Sequence, residues 1–155
     1  MKAEDIKARL EKYRAEEQVY VLVPNLDALK KGGRISPTAA FFASTLNIKP
    51  IVKFDVGTID VYKKSRGIVK AKKELFEAIR NDLDNRFKDW YESGNYYLMT
   101  ATALNDAEDE EFIKEVKEEF PGIDILSGKL SLGVSSHLGY GALGMGISSK
   151  VSKVE

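Results

Sequence analysis

Leu29-Lys30-Lys31-Gly32-Gly33-Arg34-Ile35-Ser36 sets an arginine on a double glycine directly before a serine. The two glycines permit left-handed backbone and leave no side chain in the way of an approaching ligand. Ser36-Pro37 then offers a capping hydroxyl and a helix-starting proline ahead of Thr38-Ala39-Ala40-Phe41-Phe42. Arg34 therefore stands beside a helix N-terminus, where partial positive charge and free amides join a guanidinium fork that matches carboxylate or phosphate. The octet has a second local reading: a glycine cap closing the turn from Asn25 to Lys31, with a solvated arginine beyond it.

A second segment, Ser135-Ser136-His137-Leu138-Gly139-Tyr140-Gly141-Ala142-Leu143-Gly144-Met145-Gly146, holds the only histidine of the chain. Its imidazole lies among residues that let backbone or ligand come close, and it can donate to a carboxylate or change charge near neutral pH. Glycines alternating with apolar residues also suit a strand packed tightly against another backbone. No Gly-x-Gly-x-x-Gly stands after an expected strand, and no Lys-Ser/Thr follows the glycines, so neither dinucleotide nor P-loop chemistry is supported.

Taken with Leu46-Asn47-Ile48-Lys49-Pro50-Ile51 and Ser65-Arg66-Gly67 between them, the two segments resemble the DegV family of bacterial fatty-acid-binding proteins. The resemblance covers nearly the whole chain and is strongest at Leu26 to Ser36. It matches the second half of the family pattern, so residues 1–155 are expected to form a single domain like the family's C-terminal domain. Family members carry a further N-terminal domain whose Ser/Thr motif holds the fatty acid's carboxylate. The chain is expected to lack it, beginning inside what resembles the helix that leads to the second domain. Where the family usually reads His-Thr-Gly-Pro-Gly, this chain reads His137-Leu138-Gly139-Tyr140-Gly141.

Composition bounds the alternatives. Lys plus Arg numbers 24 and Asp plus Glu 24, so no net field favours nucleic acid, and no basic block suggests a membrane surface. The absence of cysteine excludes disulfides and zinc-thiolate sites, and a single histidine argues against a metal centre. No cofactor is expected. With no apolar run of spanning length and no signal-like start, a cytoplasmic location is expected.

Pattern along the chain mixes helices and strands. Glu4 to Ala15 is expected as a surface helix laid on a sheet through Ile6, Leu10 and Tyr13. Val19 to Val23 reads as a buried strand, and Pro37 to Asn47 as a short helix. Lys49 to Phe54 and Thr58 to Lys63 form a hairpin around Asp55-Val56-Gly57. Gly67 to Tyr91 reads as one long helix, Tyr96 to Thr102 as a central strand and Asp109 to Phe120 as a charged helix. Ile123 to Leu132 reads as a strand before the histidine loop, and Ala142 to Ser148 as the last strand. The fold expected is α/β (α+β): two layers, a mixed and mostly antiparallel sheet of about six strands with helices on one face, like the DegV C-terminal domain.

The resemblance implies a lipid-binding, non-enzymatic protein that holds a long-chain fatty acid between two domains. A separate fatty acid kinase phosphorylates the bound acid to an acyl phosphate. Residue by residue, His137 matches the histidine that contacts the carboxylate, with Ser136, Gly33 and Gly139 as further ligand-binding positions, and Arg34 matches the arginine of the phosphoryl-transfer step. Phe41, Phe42, Leu46 and Ile48 are expected to wall the acyl pocket. Two other classes stand beside this: an enzyme using Arg34 and His137 directly, for which no nucleophile or carboxylate pair is marked, and an isolated structural or interaction module with little ligand binding of its own. A single-walled cleft is also expected to expose apolar surface and to self-associate.

Overall fold

The computed structural model describes residues 2–14, 17–24, 26–33, 47–55 and 57–150. Helix α1 (Ala3–Arg14) leads to strand β1 (Gln18–Leu22) and the short helix α2 (Asp27–Lys31). The hairpin of β2 (Ile48–Asp55) and β3 (Thr58–Arg66) is followed by α3 (Ile68–Asp84) and α4 (Lys88–Ser93). A crossover of β4 (Tyr96–Thr102), α5 (Asp106–Glu119) and β5 (Ile125–Lys129) comes next, and α6 (Leu132–Leu138) then leads into β6 (Leu143–Ser149).

The apolar run at Val19 to Val23 forms an interior strand because it has two faces to bury. Tyr20 and Leu22 enter one core, Val21 and Val23 the other, the double burial that such a run requires. β1 is antiparallel to both β2 and β6. The sheet order is β3-β2-β1-β6-β4-β5, antiparallel throughout except for the parallel pair β4 and β5. This is the mixed, mostly antiparallel six-stranded sheet expected, with the hairpin turning at Gly57 in left-handed conformation (φ 86°).

Both long helices, α3 and α5, cover one face as expected. Leu75, Phe76, Ile79 and Leu83 of α3, with Phe112 and Val116 of α5, close over Tyr20, Leu22, Leu98, Met145 and Ile147. Among the described residues the opposite face carries α2 and α6, through Leu26, Leu29 and Leu138 against Val21, Val23 and Val52. On this face β6 presents Gly144, between Val21 and Ala101, and Gly146, between Val19 and Met99, before Ser148. A shallow apolar trough follows along the middle of the sheet.

Two expected elements differ. Gly67 to Tyr91 is not one helix: the Asn85 side chain donates to the Asn81 carbonyl (2.8 Å), and the Phe87 amide reaches back to Asp82 (2.8 Å). Asparagine side chains compete with the helical backbone in this way, and the resulting turn drops Phe87 into the core, stacked on Trp90 at 4.8 Å. Nor does α1 bury Ile6 and Leu10, which stay exposed, while the side chain of Tyr13 lies outside the described residues. Two aliphatic side chains among charges offer little area, and the sheet face under the long helices is already filled.

A polar contact fastens α3 to β1 beneath the long helices. The Tyr20 hydroxyl donates to Asp82 (3.0 Å), and Arg86 donates to Gln18 (2.8 Å). Burial pushes the Asp82 carboxyl above the usual aspartate range, against the opposing effects of the Tyr20 hydrogen bond and the Arg86 and Lys53 charges. Burial, the Asp82 charge and that same hydrogen bond push the Tyr20 hydroxyl up. A carboxyl raised on folding favours the fold below its unfolded value, about 4, and that contribution is lost as pH rises through the folded value. Thermal melts across this range should therefore show the wild type losing stability relative to Asp82→Asn as pH rises, and parallel curves would contradict the assignment. The trough gives a second expectation. A Cβ on Gly144 would sit 2.9 Å from the Ala101 carbonyl oxygen, whereas one on Gly146 meets nothing closer than 3.3 Å. Backbone cannot yield as a side chain can, so Gly144→Ala should destabilise by about 1–3 kcal/mol in urea titrations, and Gly146→Ala by less.

Candidate functional site

β1 leaves the sheet at Val23, whose amide donates to the Pro50 carbonyl (3.0 Å), and the chain turns at Pro24 into α2. The Lys49 ammonium donates to the Pro24 carbonyl (3.2 Å) and fixes the turn to β2. Leu26 and Leu29 anchor α2 in the second core. Lys30 and Lys31 occupy its last turn, where positive charge suits the exposed carbonyls, and Gly33 ends it in left-handed conformation (φ 62°), its amide reaching the Lys30 carbonyl (3.1 Å). The double glycine thus acts as the stop of a short helix. Arg34, Phe41, Phe42 and Leu46, together with the expected helix over 37–47, lie outside the described residues except for Asn47, a turn residue with φ 62°.

The histidine segment arrives from the other end of the chain. Instead of continuing as strand from β5, the chain starts α6 after Ser131, whose hydroxyl accepts from the Val134 amide (3.4 Å). His137 sits in the last turn of α6. Gly139 (φ 87°) and Gly141 (φ 94°) then turn the chain into β6. Both are laid against Pro24: a Cβ on Gly139 would stand 3.4 Å from the proline ring, and one on Gly141 3.9 Å. The Gly141 amide donates to Ala103 (2.9 Å), and the Ala103 amide to Ala142 (2.9 Å).

These contacts enclose a cleft of about 570 Å³ lined by Pro24, Asp27, Lys31, Gly32, Ser136, His137, Gly139 and Tyr140. Ser136, His137 and Gly139 are thereby brought together as the sequence suggests. Gly33 is exposed just past the lining, and Ile48 opens β2 opposite Arg66, away from this cleft. Pro24, Asp27, Lys31 and Tyr140 are additions; the lysine pair before the double glycine was the available signal for Lys31. Among the described residues none hydrogen-bonds the half-buried His137 imidazole, which lines the cleft. The Ser136 hydroxyl donates to the Gly133 carbonyl (2.8 Å) and keeps its acceptor capacity. An imidazole and an ammonium around one opening can receive a small anionic head group.

Leu138, the first departure from the family pattern, does not face the cleft. Its side chain is 2% exposed and packs in the second core beside α2. Gly139-Tyr140-Gly141-Ala142-Leu143-Gly144 has dinucleotide-type glycine spacing, but here it runs from helix into strand, the reverse of the order that presents a helix N-terminus to a pyrophosphate. A second groove, about 470 Å³ between α3 and α5, is bridged by Lys72 and Glu115 (2.8 Å) and gathers no set of convergent free donors. Among the described residues no acidic or histidine cluster is placed to hold a metal ion, and no helix is long and apolar enough to cross a membrane.

Comparison with known proteins places this architecture. The DegV family model matches residues 1–150. The chain belongs to the DegV family. It is 30% identical over 145 residues to the protein DegV of Bacillus subtilis, covering 92% of this chain and 48% of the relative. Among solved structures it is similar to a fatty-acid-binding DegV family protein from Streptococcus agalactiae (TM-score 0.76, 27% identity, 97% of this chain and 50% of that one). It is also similar to a stearic-acid-binding protein from Eubacterium ventriosum (TM-score 0.79, 25% identity, again 97% and 50%). The chain therefore spans about half the length of these DegV relatives.

Because Leu138 serves the core, returning it to the family's threonine should cost stability. It removes buried methyl volume and buries a hydroxyl, a loss of about 2 kcal/mol, and urea unfolding should show a matching fall in midpoint at unchanged slope.

Proposed function

We propose that this DegV domain forms one wall of a lipid cleft, holding a long-chain fatty acid against a second domain and presenting its carboxylate, in the cytoplasm, to a fatty acid kinase. The observation that carries the reading is the convergence of His137, Ser136 and Lys31 on one cleft in a chain whose family relatives include fatty-acid-binding structures. His137 donates to the carboxylate. Arg34, three residues beyond Lys31 in sequence, balances charge as the phosphoryl group arrives on the lipid. In this reading the transfer belongs to the kinase; among the described residues the carboxylate lining the cleft is Asp27.

The acyl chain has a surface to follow. β6 starts directly after the Gly139 to Gly141 turn, and from there the trough over Gly144 and Gly146 runs between Val19 and Val21 on one side and Met99 and Ala101 on the other. Phe41, Phe42, Leu46 and Ile48 complete the apolar lining in this reading. Leu132, 87% exposed on α6, with Leu126 and Tyr97 exposed on neighbouring strands, is the kind of surface that a second domain or a second copy covers.

Native mass spectrometry of the chain purified from a bacterial host should show a dimer or a retained fatty acid. A lipid-free monomer at high concentration would favour instead a module whose ligand chemistry resides elsewhere. In the chain joined to the N-terminal half of a DegV relative, His137→Ala should weaken palmitate binding by about tenfold or more. Arg34→Ala should leave binding nearly intact and abolish acyl phosphate formation with the kinase. Equal effects of both substitutions on affinity, with turnover spared, would refute these roles.

A further inference from the structure

Tyr140 is the one residue between the two left-handed glycines of the histidine turn, and its ring, 63% exposed, lines the cleft beside His137. The backbone holds this turn through the Gly139 amide on Ser135 (2.8 Å) and the Gly141 amide on Ala103 (2.9 Å), but neither bond fixes the Tyr140 ring. The ring is fixed by its own hydroxyl. The Tyr140 hydroxyl accepts from the Asn105 side-chain amide (3.1 Å) and donates to the Glu108 carboxylate. Asn105 is also the N-cap of α5, its side-chain oxygen accepting from the Glu108 amide (3.0 Å). Tyr140, Asn105 and Glu108 thus form a closed triangle at one helix end.

That end is itself anchored to the sheet. The Lys129 ammonium donates to the Leu104 (3.1 Å) and Asn105 (3.3 Å) carbonyls and pairs with Asp109 (3.0 Å) and Asp106 (3.4 Å). Asp109, nearly buried, accepts in turn from the Thr102 hydroxyl at the end of β4. Partial burial works to lower the Lys129 pKa, but the hydrogen bonds and charges of Asp109 and Asp106 outweigh it and hold the ammonium above the usual lysine range. The ring of Tyr140 is therefore tied to a capped, charge-clamped helix terminus. The family's proline at this position stiffens the turn through its own backbone; here the stiffness comes from across the cleft's rim.

We propose that Tyr140 is a positioning residue: its hydroxyl latches the His137 turn to the N-cap of α5 and thereby fixes where the imidazole meets an anionic head group. The functional meaning rests on the reading of the cleft as the seat of a fatty acid's carboxylate; the latch itself does not. Because His137 is the only histidine in the chain, its imidazole resonances report on this turn alone.

The test uses the ligand-free full chain. Tyr140→Phe keeps the ring and removes both hydrogen bonds. Loss of about 1.4 kcal/mol of local stability should speed amide exchange at Gly141 and Ala142 about tenfold, with the Tyr20 amide in β1 unchanged, and should shift or broaden the His137 imidazole signals. Glu108→Ala should reproduce this in part, while Glu108→Gln, which keeps an acceptor, should restore wild-type signals. Unchanged imidazole signals and protection in both Tyr140→Phe and Glu108→Ala would overturn the latch, as would acceleration shared equally by the Tyr20 amide. A chain that binds no fatty acid would overturn the reading of function without touching these measurements, and a failed latch would leave that reading in place.

Discussion

The candidate site is built where two glycines pass beside one proline. Pro24 belongs to the exit of β1 and Gly139 and Gly141 to the entrance of β6, so the contact joins segments more than a hundred residues apart. It exists because β1 and β6 are paired with Leu22 opposite Leu143, which brings the end of one strand to the start of the other. Any side chain at residue 139 would strain the left-handed turn, and its Cβ would stand in contact with the proline ring at 3.4 Å. Lys31 on α2 and His137 on α6 face one opening because of this close approach, since each short helix is anchored to the same small core through Leu29 and Leu138.

The two faces of the sheet then divide the work. The covered face spends long helices and aromatic stacking on a core, including Phe76 edge-on to Phe120 at 6.1 Å and Phe87 stacked on Trp90. Salt bridges between α3 and α5, Lys72 to Glu115 and Arg80 to Glu119, close its outer seam. Such exposed pairs add little stability each, so the fold depends on the apolar layer beneath them. Among the described residues the other face carries the two short helices that place the cleft, beside the glycine positions of β6. The candidate cleft and the larger core thereby lie on opposite sides of one sheet, the cleft resting on the smaller core of Leu26, Leu29 and Leu138.

How far the sequence discloses this follows from what is local. Val19 to Val23 declared a doubly buried strand, Asp55 to Gly57 a hairpin, and the glycine alternation after His137 a tightly packed strand; each depends on neighbours in sequence. The break at Asn85 was hidden because the apolar spacing of Leu83, Phe87 and Trp90 continues through it, while the asparagine competition that ends the helix is a side-chain matter. The start of α6 at Leu132 was masked by its apolar beginning, which reads as more strand, although Ser131 was a legible cap. Of the site, the residue types of Ser136, His137 and Gly139 were readable. Tyr140's partners were not, because Asn105 and Glu108 reach it only through the sheet's register.

An open trough sets a thermodynamic condition on the proposed role. Full enclosure of an acyl chain contributes about 0.8 kcal/mol per methylene, and a single wall removes roughly half of each methylene's surface from water. Over ~14 methylenes the missing half amounts to about 5–6 kcal/mol, roughly four orders of magnitude in affinity. Lipid capture and closure by a second wall are then one coupled equilibrium, in which each raises the affinity for the other by the same factor. The polar end need not share in that coupling. The head-group cleft is assembled from α2, α6 and the Tyr140 turn within this domain, so its geometry is set before any second wall arrives, and the closing surface determines how tightly the tail is held.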